Sequence, residues 1–463
     1  MGKLHFVGIA GTGISAIASV ELQRGKQVSG SDLRANAATE ALAAAGAQIY
    51  LGHSTEHVAG AERVIISSAI RPDNPEVLEA RRLGIPVLKR ADYLPQLIAG
   101  QRPIAIAGTH GKTTTTAMIA SLLMRAGLDP SFIVGSYVPA LGSNAHAGAG
   151  QFFVIEADEY DGMFLGLYPW VAVITNIELD HIDCYPTLDD ARRAFRRFAG
   201  QTIADGLLLV CADNSAALEV AAQVHAGAPA LTIWTYGLHA PADWRAEDLL
   251  PNPCGGTHFG VRRAAARFAE FDVCVPGWHN VSNALAAIAV GAWLELEPAL
   301  IAHVLREYRG AARRFELKGE AAGVTVIDDY AHHPTEIQAT LSAARQRYAG
   351  RRIWAIFQPH TYTRTAAFLE EFAHSFAEAD QVIVTDIYAA REPALPGVSS
   401  ATLAARIAKP PARYIGALPS VTAYLLEQVR AGDVVITLGA GDGDTVGEEL
   451  LAGLRQRSHE HGH

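Results

Sequence analysis

The segment IAIAGTHGKTTTT (residues 104–116) combines residue types that bind phosphate. An apolar run leads into a glycine-rich turn, and a lysine and a threonine then open a threonine-rich stretch. The amides of such a turn and the lysine bind phosphates, and the hydroxyl binds Mg²⁺. Only two residues separate the first glycine from the Gly-Lys pair, whereas the common phosphate loop has four there. The segment predicts an ATP site of a distinct subtype, formed by Gly108, Thr109, His110, Gly111, Lys112, Thr113 and Thr114.

Lys112 stands out because lysine is scarce in this chain. There are six lysines: Lys3, Lys26, Lys89, Lys112, Lys318 and Lys409. None lies between residues 113 and 317, where arginines are plentiful. A lysine ammonium is a compact point charge, unlike the planar guanidinium of arginine. We therefore expect Lys112 to lie against phosphates and to be catalytic.

Two acidic segments follow apolar runs and are candidates for a metal site. EADEYD (156–161) follows FFVI, and NIELDHIDCY (176–185) follows VAVIT. Loops at the carboxyl ends of parallel strands meet at one edge of a sheet. Mg²⁺ takes oxygen ligands, with phosphates and water completing its shell. The sequence predicts a magnesium site here. Zinc is not expected, because the nearby histidine lacks a partner at ligand spacing.

A second glycine-rich turn lies at the N-terminus. In GIAGTGISA, Gly11 and Gly13 follow an apolar run, and Asp32 ends the next one. This pattern is typical of a turn that presents backbone amides and a helix N-terminus to a diphosphate. The motif alone leaves open NAD, a nucleotide sugar, or a tight turn without a ligand.

The C-terminal third contains two further polar segments after apolar runs. DDYAHHP (328–334) follows VTVI, and FQPHTYTR (357–364) follows RIWAI. Tyrosine, histidine and arginine together suit a carboxylate and a neighbouring amine, because arginine binds carboxylates bidentately. The alternative is that these are unrelated loop residues that cap helices.

Short apolar runs alternate with amphipathic Ala/Leu-rich stretches along most of the chain. This alternation predicts parallel sheets covered by helices on both faces, an α/β fold. Breaks near residues 100 and 312 indicate three domains, 1–100, 101–312 and 313–463. The pattern weakens between residues 236 and 276, which suggests an antiparallel addition to the middle domain.

Composition excludes several classes of protein. A net charge of −10 argues against a general nucleic-acid or anionic-membrane binder. The four cysteines show no paired spacing, so we expect neither a disulfide framework nor a cysteine zinc site. The N-terminus enters a strand-like run at once, and the most apolar long segment contains Glu295, Glu297 and Pro298. We therefore expect a cytoplasmic protein with no signal peptide and no membrane span.

The motifs taken together resemble those of the Mur ligases. They are AGTHGKTTTT, EADEYD, TNIELDHIDCY, GWHNVSNALAA, RRFELKG, DDYAHHPTEI, FQPHTYTRT and GAGD. They occur in the family's order and span essentially the whole chain, and they are most similar to the branch that adds alanine. The resemblance implies a Rossmann-like N-terminal domain for a UDP-sugar, a central phosphate-loop ATPase domain and a Rossmann-like C-terminal domain for the amino acid. It also implies UDP-N-acetylmuramate and L-alanine as substrates, with ATP and Mg²⁺; we expect a monomer or homodimer.

The resemblance also assigns roles to individual residues. The UDP-sugar positions are Gly8, Gly11, Gly13, Asp32, His53, Ser67 and Ser68. The adenine side comprises His279, Asn280 and Asn283, and Arg314 and Asp328 reach ATP from the third domain. The metal positions are Thr113, Glu156 and His181, and the amino-acid pocket contains Tyr330, His360 and Arg364. The attacking amine needs a base, for which His332 and His360 are the candidates.

Two features depart from patterns found elsewhere in the family. Many relatives have arginine after the histidine of FQPH, where this chain has Thr361, so Arg364 would bind the carboxylate alone. Some Mur ligases use a carbamylated lysine as a metal bridge, and the central domain has no lysine for this after Lys112.

Three alternative functions remain open from the sequence. A recycling ligase would attach a murein tripeptide to the same UDP-sugar. An NAD-dependent oxidoreductase would explain the N-terminal turn but gives Lys112 and the acidic segments no role. A non-catalytic nucleotide sensor would explain the phosphate loop but not the polar segments of the C-terminal third.

Overall fold

The computed structural model describes residues 2–460, and its first sheet is entirely parallel. The strands are β1 (Lys3–Val7), β2 (Gln27–Asp32), β3 (Gln48–Leu51), β4 (Ala61–Ile66) and β5 (Val87–Lys89). Their order is β3-β2-β1-β4-β5. The helices of this part are α1 (Thr12–Gln23), α2 (Ala37–Ala44), α3 (Pro75–Arg82) and α4 (Arg90–Leu97).

The second sheet is the largest. Its strands are β6 (Arg102–Ala107), β7 (Ser131–Val138), β8 (Ser143–His146), β9 (Phe152–Glu156), β10 (Val171–Ile174), β11 (Leu207–Cys211), β12 (Thr232–Gly237), β13 (Trp244–Pro251), β14 (Thr257–Arg263) and β15 (Ala266–Val273). The order is β15-β14-β13-β12-β11-β10-β6-β9-β7-β8. Its helices are α5 (Lys112–Arg125), α6 (Leu188–Ala199), α7 (Ser215–Gly227), α8 (Trp278–Trp293) and α9 (Pro298–Glu307). Because β13, β14 and β15 pair antiparallel, the expected antiparallel addition is confirmed.

The C-terminal part of the chain forms the third sheet. Its strands are β16 (Glu316–Ala321), β17 (Val324–Asp329), β18 (Ile353–Phe357), β19 (Gln381–Val384), β20 (Ala412–Tyr414) and β21 (Val434–Leu438). They lie in the order β16-β17-β21-β18-β19-β20, and only the β16–β17 pair of this sheet is antiparallel. Its helices are α10 (Pro334–Arg347), α11 (Tyr362–Ala367), α12 (Leu369–Ala373), α13 (Ser400–Arg406), α14 (Leu418–Gln428) and α15 (Thr445–Glu460).

The central strands carry apolar side chains on both faces because helices cover both. On β10, Val171 and Val173 pack with α5 and α8, whereas Ala172 and Ile174 pack with α6 and α7. The second face also contacts α1 of the N-terminal part, so one apolar cluster joins the first two sheets. Two-sided burial is why these strands read as continuous apolar runs. The predicted three-domain α/β fold is confirmed.

The expectation about cysteines is wrong in one respect. Cys254 and Cys274 form a disulfide, with a Cα–Cα distance of 5.3 Å. Their separation of 20 residues carries no signal in the sequence. The antiparallel register places Thr257 opposite Val273, and this pairing brings the two cysteines together. Cys184 and Cys211 are free.

No helix among residues 2–460 is long and apolar enough to cross a membrane.

Candidate active site

A cleft of about 1210 Å³ lies where the three sheets meet. The N-terminal part contributes Gly13 and Arg90 to its wall. The central part contributes the phosphate loop and the two acidic segments, and the C-terminal part contributes both of its polar segments. The predicted site residues that line it are Gly13, Thr109, His110, Gly111, Lys112, Thr113, Glu156, His181, Arg314, Tyr330, His332, His360 and Arg364.

The phosphate loop joins the end of β6 to the start of α5, and two glycines allow its shape. Gly108 has φ +139°, and a Cβ there would collide with the Thr175 hydroxyl. Gly111 has φ +82°, and a Cβ would lie 2.5 Å from Asn283 Oδ1. L-residues rarely adopt such backbone angles. The segment after β10 also holds the loop, because the His110 amide donates to Asn176 Oδ1 at 2.8 Å.

Lys112 lies inside a ring of acceptors at the base of this loop. Its ammonium donates to the Gly108 carbonyl at 2.5 Å and lies 2.9 Å from a carboxylate oxygen of Glu159. Burial lowers the pKa of Lys112, but the carboxylates of Glu159, Asp158 and Glu156 outweigh that effect and raise it. Lys112 is therefore charged at neutral pH and is ready to exchange these acceptors for phosphate oxygens.

The metal positions suggested by the resemblance lie beside the loop. The Thr113 hydroxyl donates to Glu156 Oε1 at 3.0 Å, and the other Glu156 oxygen accepts from the Gly135 amide. His181 has φ +50° and lies with its Nε2 3.6 Å from Glu159. A hydroxyl and a carboxylate facing an open cleft suit Mg²⁺, which completes its shell with phosphate and water.

Arg314 and Asp328 have different environments. Arg314 lines the cleft, and its guanidinium donates to the Thr113 hydroxyl at 3.4 Å. Asp328 is 1% exposed and accepts from Arg313 Nε at 2.9 Å and from the Thr437 hydroxyl at 2.6 Å. Buried β17 places the Asp328 carboxylate where it orients Arg313, and the direct contact of Asp328 with ATP stays a prediction.

The adenine-side residues also lie off the cleft wall. Asn280 and Asn283 are buried on α8, and their amides bond to each other at 3.1 Å. Asn283 also accepts from the Thr115 hydroxyl at 3.2 Å, so it supports the phosphate loop from behind. His279 is exposed at the start of α8. Thr114 is buried on α5 and likewise does not face the cleft.

The UDP-sugar positions lie around the β1–α1 turn, and of these only Gly13 lines the cleft. Asp32 at the end of β2 accepts from the Ala10 amide at 2.9 Å. A Cβ on Gly8 would lie 3.0 Å from the Ser67 side chain, so Gly8 packs tightly against it. Gly11 is the N-cap of α1. Ser68 follows Ser67 in the loop after β4.

His53 belongs to a separate buried cluster. Its Nδ1 lies 3.0 Å from the Ser31 hydroxyl and 3.2 Å from Glu76. Glu76 is fully buried and also contacts His57 at 2.6 Å. The structure thus links His53 to the end of β2 through Ser31.

In the C-terminal part, Arg364 does not face the cleft freely. Its Nε and Nη2 donate to Asp180 Oδ1 at 3.0 and 2.6 Å, and its Nη1 donates to His360 Nδ1 at 3.2 Å. Burial raises the pKa of the Asp180 carboxyl, but the positive charge of Arg364 outweighs that effect and holds the pKa of Asp180 well below its usual range. This pair joins the central and C-terminal parts beside Tyr330, which Arg314 overlies at 5.2 Å.

The histidines that could act as the base are both neutral at neutral pH. Burial lowers the pKa of His332 to about 3. Burial, followed by the charge of Arg364, lowers the pKa of His360 to about 4. The two rings lie with their centroids 5.9 Å apart.

Sequence reasoning missed several residues of the cleft. Arg90 opens α4, contacts Asp158 at 3.2 Å and occupies the space beside Gly13 where a Cβ would be. Glu336 on α10 contacts His110 at 3.1 Å, and Arg391 lines the C-terminal wall. Glu336 lies inside the quoted motif DDYAHHPTEI, so its position gave a signal. Arg90 and Arg391 belong to no motif.

His110, Glu178 and His333 form the one group among residues 2–460 whose donor atoms are close enough for a metal ion. Both nitrogens of His110 face carboxylates, Glu178 at 3.3 Å and Glu336 at 3.1 Å. Burial lowers the pKa of His110, but the carboxylates of Glu178 and Glu336 outweigh that effect and raise the pKa to about 9. A protonated imidazole has no lone pair for a metal. The group is therefore an ion-paired contact between the central and C-terminal parts.

Comparison with known proteins covers the whole of this architecture. Residues 3–102 match the model described as Mur ligase family, catalytic domain. Residues 106–291 match the Mur ligase middle domain, and residues 313–441 match the Mur ligase, glutamate ligase domain.

Individual relatives are similar to this chain over nearly its whole length. The chain is 45% identical to a UDP-N-acetylmuramate--L-alanine ligase of Solibacter usitatus, over 98% of this chain and 95% of that one. The crystal structure of UDP-N-acetylmuramate-alanine ligase MurC from Thermotoga maritima is 30% identical, with a TM-score of 0.84 over 99% of this chain and 100% of that one. A murein peptide ligase from Psychrobacter arcticus is 26% identical, with a TM-score of 0.72 over 98% and 99% of the two chains. With matching domains in the same order and a relative at 45% identity over nearly its full length, the chain belongs to the Mur ligase family.

Proposed function

We propose that this chain joins L-alanine to the lactyl carboxylate of UDP-N-acetylmuramate, with ATP converted to ADP and phosphate. The observation that carries the proposal is the cleft itself. It brings a diphosphate-type turn, a phosphate loop and a Tyr–His–Arg pocket, each from a different domain, into one space. The names of the relatives at 45% identity support the alanine-adding branch.

The reaction needs activation because a carboxylate is a poor electrophile. In the proposed sequence, the lactyl carboxylate attacks the γ-phosphate of ATP and forms an acyl phosphate. Lys112 and Arg314 offset the charge on the transferring phosphoryl group, which is the main contribution that protein makes to this reaction type. Mg²⁺, held by Thr113, Glu156 and His181, would supply further charge compensation.

The second step transfers the acyl group to the amine of alanine. Attack by the free amine gives a tetrahedral intermediate, which loses a proton and expels phosphate. Because the nitrogen carries positive charge after attack, its proton is acidic enough for a weak base to accept. Neutral histidines with lowered pKa values, His332 and His360, satisfy that requirement.

Hydrogen bonds favour His332 over His360 as this base. Nδ1 of His332 lies 2.9 Å from the Tyr330 carbonyl, which only accepts, so Nδ1 carries the proton and Nε2 has a free lone pair. Nδ1 of His360 accepts from Arg364, so its proton lies on Nε2. We therefore assign the proton transfer to Nε2 of His332.

The deciding experiment measures phosphate release with ATP, Mg²⁺ and UDP-N-acetylmuramate against alanine, serine, glycine and the murein tripeptide. The proposal expects turnover with alanine at the highest kcat/KM. Turnover with the tripeptide alone would instead identify the recycling ligase. An absorbance change with NADH and no phosphate release would identify an oxidoreductase.

The proposal extends to the setting of the enzyme. A cytoplasmic location fits a chain that consumes ATP and whose described residues contain no membrane-spanning helix. We propose a monomer or a homodimer, because the residues of all three domains that line the cleft belong to one chain.

A further inference from the structure

An amino-acid substrate brings a carboxylate into the cleft, and Arg364 is poorly placed to bind it alone. Three of its five N–H groups are occupied by Asp180 and His360. The side chain is buried, and the Asp180 carboxylate neutralises its charge. Thr361, which also lines this wall, carries no charge. The pocket therefore needs a second cation.

Most cations of the cleft wall already have partners within the protein. Arg90 pairs with Asp158, Lys112 with Glu159, and Arg313 with Asp328. Arg314 donates to Thr113 and lies 3.9 Å from Glu336, on the ATP side.

Arg391 differs from these residues. Within residues 2–460, its exposed guanidinium has no hydrogen bond and no carboxylate at ion-pair distance. An unpaired guanidinium in a substrate cleft is free to bind a carboxylate with two parallel N–H···O bonds.

The backbone around Arg391 is fixed to the amino-acid side of the cleft. Tyr388 accepts from the Thr361 amide at 2.9 Å, and its ring stacks on His360 with centroids 5.7 Å apart. Glu392 accepts from the Thr363 amide at 2.9 Å and from its hydroxyl at 2.5 Å. Residues 389–391 are thus held between two anchors, directly beside Thr361.

We propose that Arg391 binds the α-carboxylate of the amino-acid substrate, in place of a cation at position 361. The inference rests on the proposed function, since it concerns the amino acid that this reaction consumes. Arg364 then acts as a positioning residue that holds His360 and joins the two domains. The amine of the bound amino acid points toward Nε2 of His332.

The experiment compares steady-state kinetics of wild type and Arg391→Ala. We expect KM for alanine to rise on the order of 10- to 100-fold, as for loss of a charge-assisted hydrogen-bonded pair. KM for ATP and for the UDP-sugar should stay within about twofold, because neither is held by this side chain. Acyl phosphate formation, trapped with hydroxylamine without amino acid, should be unchanged.

L-Alaninamide, used as a substrate in place of alanine, tests whether the pocket recognises the carboxylate charge or only the shape of the amino acid. Wild type should strongly prefer alanine, and Arg391→Ala should lose most of that preference because the amide lacks the charge. The double variant Thr361→Arg with Arg391→Ala should regain low KM for alanine, since position 361 lines the same wall. Arg413→Ala, an exposed arginine of the same domain outside the cleft, is the matched control.

Three outcomes would overturn the inference: an unchanged KM for alanine in Arg391→Ala, a rise in KM for ATP instead, or an equal loss with alanine and alaninamide. Failure of the proposed function would give a different result: wild type would release no phosphate in response to alanine.

Discussion

At the scale of single residues, Lys112 combines two properties that rarely coincide in one side chain. It is charged, because the carboxylates of Glu159, Asp158 and Glu156 raise its pKa, yet it is largely shielded from solvent. Its present acceptors include backbone carbonyls of its own loop, Gly108 and Thr109. No other lysine of the central domain can replace it.

Replacing Lys112 with alanine should leave a folded protein that binds the UDP-sugar but forms no acyl phosphate. The N-terminal turn makes no contact with Lys112, so the first site survives, whereas the phosphoryl group loses its nearest cation. Calorimetry with the UDP-sugar and hydroxylamine trapping measure the two properties separately. Lys26→Ala, outside the cleft, is the control. Trapped acyl phosphate at the wild-type rate would contradict the assignment.

His332 should affect only the second half-reaction. His332→Asn retains an N–H for the Tyr330 carbonyl but has no ring nitrogen to accept a proton. We expect kcat to fall on the order of 100-fold or more, the usual contribution of a general base, while hydroxylamine still traps acyl phosphate. His360→Asn should mainly raise KM for alanine, because the His360 ring stacks on Tyr388, which anchors the segment that carries Arg391. Equal loss of trapping in both variants would refute the division of roles.

At the scale of elements, the strand–loop–helix unit from β6 to α5 positions the phosphate chemistry. Its loop depends on a backbone angle open only to glycine at position 108, and on contacts from Thr175 and Asn176 after β10. The segment after β10 thus holds the loop from one side, and Asn283 on α8 holds it from behind.

Gly108→Ala should disrupt this unit. The added methyl collides with Thr175 and imposes a strained angle, at a cost on the order of 1–3 kcal/mol. We expect a lower Tm together with a large increase in KM for ATP. Gly25→Ala is the matched control, because Gly25 also has positive φ (+79°) but open space at its Cβ. That variant should lose some stability and keep its KM for ATP.

Elements and strand ends were predictable from the sequence, whereas several contacts were not. The apolar run before Gly108 predicted β6, and acidic residues after buried runs correctly indicated the edge where the cleft lies. The bonds of Asp328 to Arg313 and Thr437 had no signal in the sequence, because a strand-end acid can point into the core as readily as out of it. Cys254 and Cys274 meet through strand register, and Arg90 and Arg391 enter the cleft through packing between domains. None of these depends on local pattern.

At the scale of the whole molecule, side-chain contacts between domains converge on the cleft. His110 lies between Glu178 of its own domain and Glu336 of the C-terminal domain, and Asp180 pairs with Arg364 across the same boundary. The His333 ring lies 4.8 Å from His110, and burial followed by the charge of His110 lowers the pKa of His333. His110 therefore carries the positive charge of this contact.

Docking of the C-terminal domain should weaken at high pH. The pKa of His110 is about 9 in the docked state, against an ordinary value of 6.5. The stabilisation of the docked state by protonated His110 is therefore fully present below pH 6.5. It is lost as the pH rises through about 9 and His110 loses its proton. Small-angle scattering of the free enzyme should show a larger radius of gyration above that pH. His110→Asn should abolish the pH dependence; an unchanged transition in this variant would contradict the prediction.

The reach of Arg314 across the domain boundary to Thr113 also bears on how ATP is protected between turnovers. Water in an open cleft competes with the sugar carboxylate for the γ-phosphate. Because the loop receives this cation only when the C-terminal domain is docked, an open molecule holds ATP with an incomplete set of charges. Docking of the C-terminal domain therefore both adds this cation to the loop and adds a wall to the cleft. We therefore expect ATP hydrolysis without the sugar to be slow while the C-terminal domain is undocked, because the loop then lacks the Arg314 charge.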